Sequence, residues 1–346
     1  MQPSIRLSLS IAGSAALALA GMPFAHAPAA AEEAKTSKGT APELGVMGIS
    51  LKDAIKPNIG IQGQTQGAGT PNEAGIGGFL PLVVGDNSVF FLDALANVNF
   101  SDYSNYSSSI NTTVQGGTIS TSSRLGYRWL NDDRSWLFGV NAGYDSRPMA
   151  TGPADTGVHV SNSNTVFFQQ VAAGLEAVSN TWNFNAYALV PVGTTNAVLN
   201  SVYQGELKGG SLDTYGLDVG YAITPDLRAT IGYYYQNGDL GTADGSGVNG
   251  RLAYNISNGL TAGVNLSYDQ AFDTRFSADL KYRFGSNGYG APSKKKAWQT
   301  PVMQALTDSV KHRDVRVHDG IGCTNPTNPL QWLSAPAPGH NMTFKC

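Results

Sequence analysis

Along much of the chain, apolar residues fall on every second position. After the Asn258-Gly259 pair, Leu260, Ala262, Val264, Leu266 and Tyr268 alternate with Thr261, Gly263, Asn265, Ser267 and Asp269. A period of two puts the two sets on opposite faces of a strand, and Asn-Gly is a strong hairpin-turn signal. In "SVFFLDALANVNF" the apolar set is Phe90, Leu92, Ala94, Ala96, Val98 and Phe100, with Asp93, Asn97 and Asn99 opposite. "SWLFGVNAGYD", "TWNFNAYALV", "TYGLDVGYAI", "LRATIGYYYQ", "VNGRLAYNI" and "TRFSADLKYRF" behave alike. "IGIQGQTQ", "GFLPLVVG", "ISTSSRLGYRWL" and "VFFQQVAAGLEAV" are less regular members. From Ile59 to Phe284 this predicts about twelve strands, each near the ~9–11 residues of a tilted membrane strand.

The connections alternate in length. Tight ones stand at Gly85, Asn131, Ser179, Thr224 and Ser257, and longer ones cover Ser101–Gly117, Ser146–Asn164, Gly193–Ser211 and Asn237–Gly247. Such a rhythm suits an antiparallel up-and-down barrel with turns on one side and loops on the other. The short "DQAFD" connection at Asp269 departs from it, and Val198–Leu207 fits either an extra strand pair or an extension of its loop. A secreted β-sandwich also alternates faces, but the polar face here carries many charges. They are Arg124, Arg128, Arg228, Arg251, Arg275, Lys281 and Arg283, with Asp93, Asp145, Glu176, Asp218, Asp269 and Asp279. The apolar face carries essentially none. Tyr127, Trp129, Trp136, Trp182, Tyr221, Tyr282 and Phe284 gather by the tight turns, while Phe100, Tyr144, Tyr233, Tyr235 and Tyr268 lie towards the loops. These read as two interfacial girdles around a transmembrane β-barrel, with lipid as its outer partner.

The chain's start suggests how it reaches a membrane. Arg6 precedes an apolar run from Leu7 to about Ala20, and Ala29-Ala30-Ala31 before Glu32 fits a signal-peptidase site, with Ala25-His26-Ala27 second. This is a secretory signal at 1–31, too short for an anchor. The expected order is a periplasmic segment at 32–54, an outer-membrane barrel at 55–285, a linker with a short helix at 286–320, and a tail at 321–346. Of 346 residues, 41 are glycine and 14% are charged, with a net charge of −3. Nothing in that balance points to nucleic acid. Cys323 and Cys346 could pair in an oxidising compartment, but they are no framework for the whole.

"SSRLGYRWLNDDRSWLFGVNAGYD", "GLEAVSNTWNFNAYALVPVG" and "YGLDVGYAITPDLRATIGYYY" resemble the translocator barrels of inverse autotransporters, the intimin and invasin class. "FLPLVVGDNSVFFLDA" and "LKYRFG" match the same pattern, and the likeness covers roughly Ile59 to Gly285. It implies a twelve-stranded outer-membrane barrel whose linker returns through the lumen, carrying a C-terminal passenger to the surface. An even strand number independently returns the chain to its starting side, so a surface tail must thread the pore. In "PVMQALTDSVKHRDVRVHDG", Pro301 marks a helix start, Met303, Leu306 and Val310 follow at helical spacing, and "DVRVHD" then alternates. The chain departs from the family in its short tail, which is too small for an independent adhesin without a staple. A peptidoglycan-binding module is also not recognisable before the barrel.

Of the five histidines, only His159 lies in a barrel loop, and it has no partner pattern for hydrolysis. Neither metal-ligand spacing nor a phosphate-binding glycine loop is present, so no enzyme activity and no cofactor are expected. The lumenal charges either satisfy one another or hold the linker through Lys311, Arg313, Asp314 and Arg316. Lys294–Lys296 forms a basic stretch. Leu280, Tyr282 and Phe284 fit the terminal pattern that barrel assembly machinery recognises in proteins of the kind resembled. Expected partners are outer-membrane lipid, that machinery and an unidentified surface or envelope ligand. Three functions follow: a translocator holding its own tail in the pore; a passive porin-like channel or structural barrel; or a surface-binding protein acting through its Asn/Ser/Thr-rich loops near Tyr103–Thr113.

Overall fold

The computed structural model describes residues 50–101, 114–151, 154–155, 158–159, 162–202, 205–240, 243–257, 259–284 and 300–322. The expected signal segment, the Tyr103–Thr113 loop, Lys294–Lys296, Cys323 and Cys346 lie outside these residues.

A short helix α1 (Leu51–Ala54) precedes seven strands. These are β1 (Asn58–Gln64), β2 (Asn72–Val84), β3 (Ser88–Phe100), β4 (Thr118–Leu130), β5 (Trp136–Met149), β6 (Val166–Ser179) and β7 (Trp182–Val192). Then come β8 (Asn196–Val202), β9 (Gly205–Ala222), β10 (Leu227–Gly238), β11 (Gly245–Ser257), β12 (Leu260–Asp269) and β13 (Asp273–Phe284). Helix α2 (Pro301–Ala305) and β14 (Val317–Gly322) follow. Strands β1–β7 and β9–β13, twelve in all, pair antiparallel in chain order, and β13 closes the ring on β1. β8 stands outside the ring, so β7 pairs directly with β9.

The period-two pattern accounts for the closure. In β4, Ser122, Arg124, Arg128 and Leu130 point inward and are buried, while Ile119, Leu125, Tyr127 and Trp129 point outward. Around the ring the usual arrangement is inverted: Arg128 has 0% of its surface exposed and Ile231 has 71%. A large apolar side chain gains about 1.5–3 kcal/mol on leaving water. An outer wall carrying Ile59, Ile61, Leu80, Leu175, Leu217, Leu252 and Phe276 is therefore stable in hydrocarbon. No helix among the described residues is long and apolar enough to cross a membrane; the crossing is made by a closed ring, which leaves no unpaired edge in lipid. The molecule is a twelve-stranded transmembrane barrel.

One end of the ring carries the tight turns. Gly259 has φ +85° beside the Ser257↔Leu260 pair, as a two-residue hairpin loop requires. Arg134 ties two turns together, donating to Asn87 Oδ1 at 2.9 Å and to the Asp86 carbonyl at 3.0 Å. At the opposite, loop end, β5 and β9 extend further than the sequence rhythm implied. Residues 146–149 and 205–211, expected in connections, are strand because they find partners in β6, β8 and β14. The Val198–Leu207 ambiguity resolves as a strand pair above the ring. The ring is uneven in strength: β1 meets β13 over six residue pairs, whereas β5 meets β6 over fourteen.

Candidate functional site: an occupied lumen

The lumen contains the segment that follows the barrel. α2 begins with Pro301 at its first turn, where the missing N–H costs nothing. Val302, Met303, Ala305 and Leu306 are buried in an apolar socket at the turn end. Its walls are Phe79, Val89, Phe91, Leu130, Leu137 and Val178, together with Leu51 and Ile55 from the α1 region. The helix ends at Ala305, its Met303 and Gln304 carbonyls accepting the Leu306 and Thr307 amides, and the carbonyls just beyond it are taken by the barrel wall. Arg128 donates to the Leu306 and Asp308 carbonyls at 3.2 and 2.7 Å. Arg283 and Asn58 both donate to the Thr307 carbonyl.

From Ser309 the chain runs towards the loop end without regular secondary structure as far as Arg316. The Val310 amide donates to Asp93 at 3.1 Å, and Lys311 Nζ donates to Asn183 at 3.2 Å. His312, at φ +54°, contacts Asp218 at 2.6 Å and stacks on Tyr187 with ring centroids 3.7 Å apart. Arg313 pairs with Asp93 at 2.9 Å. Gln64 donates to the Asp314 carboxylate and Gln170 to its carbonyl. Arg316 pairs with Asp269 at 3.1 Å and lies over the rings of Tyr234 and Phe272, at 4.7 and 5.4 Å. Val315 and Val317 pack with Met149, Val166, Phe168 and Leu199. β14 then pairs with Glu206–Ser211 of β9, above the ring. The segment thus enters the lumen at the turn end and leaves at the loop end. Two cavities beside it measure about 20 Å³ each, room for roughly one water.

The sequence-derived candidates occupy defined places around this segment. Arg124–Asp145 (2.6 Å), Arg128–Glu176 (2.5 Å) and Arg251–Asp279 are ion pairs within the wall. Asp218 and Asp269 instead meet the linker. Wall charges thus meet one another at some positions and the linker at others. Arg228, Arg275 and Arg283 are half-buried, and Lys281 shares the inward face but stays accessible to water. The linker cations do not act as one set: Arg313 and Arg316 reach carboxylates, whereas the contact of Lys311 is an amide. At the turn end the outer aromatics form a ladder: Tyr127–Trp129 (5.7 Å), Trp129–Phe138, Trp136–Phe184, and Trp182–Tyr221 (4.9 Å). Tyr282 and Phe284 meet edge to face at 4.5 Å.

Sequence reasoning missed several lumenal residues. His312 lies in the linker, off the barrel strands, and nothing in the sequence marks its lumenal contacts. Arg147 was assigned to a loop, yet it donates to the Val315 carbonyl at 3.0 Å and to the Gly69 carbonyl. Three inward aromatics were also missed, and each lies opposite a glycine of the next strand: Phe91↔Gly126, Tyr187↔Gly216 and Tyr234↔Gly247. A Cβ at Gly126 would stand 2.3 Å from the Phe91 ring, and one at Gly216 would stand 2.3 Å from Tyr187. The missing side chains let the rings lie flat and face the linker. An aromatic of inward parity paired with a glycine was the available signal.

No protein-family model matches the chain, and no curated protein sequence matches it. Solved structures do resemble it. A chain from a study of in-meso crystallization of membrane proteins superposes with a TM-score of 0.53 at 10% identity, covering 77% of this chain and 100% of its own length. Omp33 of Acinetobacter baumannii gives 0.36 at 11% identity, covering 67% and 99%. Outer membrane phospholipase A of Escherichia coli, as an active-site mutant, gives 0.35 at 16% identity, covering 66% and 90%. At these identities the likenesses concern the fold alone.

Proposed function

We propose that the chain is an outer-membrane barrel of the translocator kind, which holds its own C-terminal segment in the pore and carries residues beyond 322 to the cell surface. The observation that carries this reading is the course of residues 306–317 through the ring, from the turn end to the loop end. The strand patterns that resemble inverse autotransporter barrels support it, as does the even strand number, which returns Phe284 to the side where β1 began. The N-terminal signal pattern supports export. The work is mechanical: insertion of the barrel, passage of the tail, and closure of the pore by the segment left behind. An epitope placed after Cys346 is expected to be cut by protease added to intact cells. Cutting only after the outer membrane is permeabilised would overturn the proposal.

A porin-like or structural barrel is the second reading, and it has its own support. Arg124–Asp145, Arg128–Glu176 and Arg251–Asp279 are satisfied within the wall, so a lumen without linker would remain a polar, water-compatible channel. Full-length protein in planar bilayers distinguishes the two. Steady open conductance supports the channel, and a closed state with rare openings supports the held tail.

A further inference from the structure

The wall grips the linker in two chemically different ways. Side-chain pairs join Asp93 to Arg313, Asp218 to His312 and Asp269 to Arg316. These depend on which residues the linker carries. Four wall arginines reach main-chain carbonyls, Arg283 donating to the Ser309 hydroxyl as well. Arg283 takes Thr307; Arg128 takes Leu306 and Asp308; Arg124 takes His312 at 3.3 Å; Arg147 takes Val315 at 3.0 Å. Arg283 and Arg128 sit near the turn end of β13 and β4, Arg124 four residues above Arg128 on the same strand, and Arg147 near the loop end of β5. The carbonyls run from Leu306 near the turn end to Val315 near the loop end, through the turn at 306–308 and the left-handed His312.

We infer that these four arginines form a carbonyl ladder, a binding site for polypeptide main chain of any sequence, running the length of the lumen. The inference rests on the threaded-lumen reading and names its ligand class. Every residue of a polypeptide presents a carbonyl, and a guanidinium has five donors in a planar fork on a long side chain. Two of the arginines are themselves held by wall carboxylates, Asp145 and Glu176. Those pairs fix the guanidinium planes while their remaining N–H groups point at the linker. A ladder that ignores side chains can hold the resting linker, and it can hold whichever segment stands in the pore while the tail passes.

Amide hydrogen exchange of residues 306–316 in the full-length, detergent-folded protein tests this. The double variant Arg147→Gln/Arg283→Gln is expected to speed that exchange a hundredfold or more. A second variant neutralises both sides of the side-chain pairs, combining Asp93→Asn, Asp218→Asn and Asp269→Asn with His312→Gln, Arg313→Gln and Arg316→Gln. It is expected to speed exchange less than tenfold, because no charge is left stranded and the carbonyl contacts persist. The reverse order would overturn the ladder. If the six-site variant does not fold, the double variant still decides: exchange at the wild-type rate in a folded barrel overturns the ladder. Free-peptide exchange of this segment in the wild type would instead remove the threaded-lumen reading itself.

Discussion

Asp93 concentrates the residue-scale argument. Its carboxylate pairs with Arg313 and accepts the Val310 amide, and it is 1% exposed. Removing one member of a buried pair strands the other, at a cost of about 3–5 kcal/mol. Asp93→Asn keeps an acceptor for Val310 but leaves Arg313 without a counter-charge. It is expected to loosen the linker by about that amount, read as faster amide exchange at 310–314 while the barrel still migrates as folded in a heat-modifiability gel. Glycines offer a separate test. Gly216→Val drives a branched side chain into the space of the Tyr187 ring and displaces its stack on His312. Overpacking of this kind costs about 1–3 kcal/mol. The barrel's midpoint temperature is expected to fall, and Tyr187→Ala in the same chain, by vacating the space, is expected to restore part of the loss.

Among the elements, α2 is too short to be stable alone, since an isolated helix of one turn cannot repay its nucleation. It exists because Met303, 0% exposed, and Leu306 fill the socket and because Arg128 and Arg283 hold the turn that follows it. Met303→Ala is expected to weaken docking by about 2–5 kcal/mol, seen as more frequent openings in planar bilayers. The ring strands are legible in the sequence because lipid and lumen impose an apolar–polar alternation on most of their residues. The socket is not. Val89, Phe91, Leu137 and Val178 are apolar residues of inward parity, and alternation alone reads them as noise beside their outward neighbours. The extent of α2 is likewise obscure in the sequence: Met303, Leu306 and Val310 keep helical spacing, yet the helix ends at Ala305 and the wall holds the turn beyond it. The packing around this turn comes from distant residues such as Arg128, 178 positions from Leu306, so local pattern cannot supply it.

At the scale of the whole molecule, the lumen is an interior built from polar contacts, closed at both ends by apolar packing. One seal is the α1–α2 socket; the other gathers Val315 and Val317 with Met149, Phe168 and Leu199. Three carboxylates of the wall are committed to the linker rather than to wall arginines. A triple variant, Asp93→Asn, Asp218→Asn and Asp269→Asn, therefore strands three linker groups at once. Its planar-bilayer recordings are expected to show long open states where the parent is mostly closed. Unchanged gating would show that these pairs do not hold the segment.

The short first strand also has a mechanical meaning. Six residue pairs join it to the last strand, against fourteen at the firmest junction. A tip pulling on the polypeptide in a force spectrometer should part this seam before any other, and rupture should begin as a single hairpin peeling away from the ends of the chain.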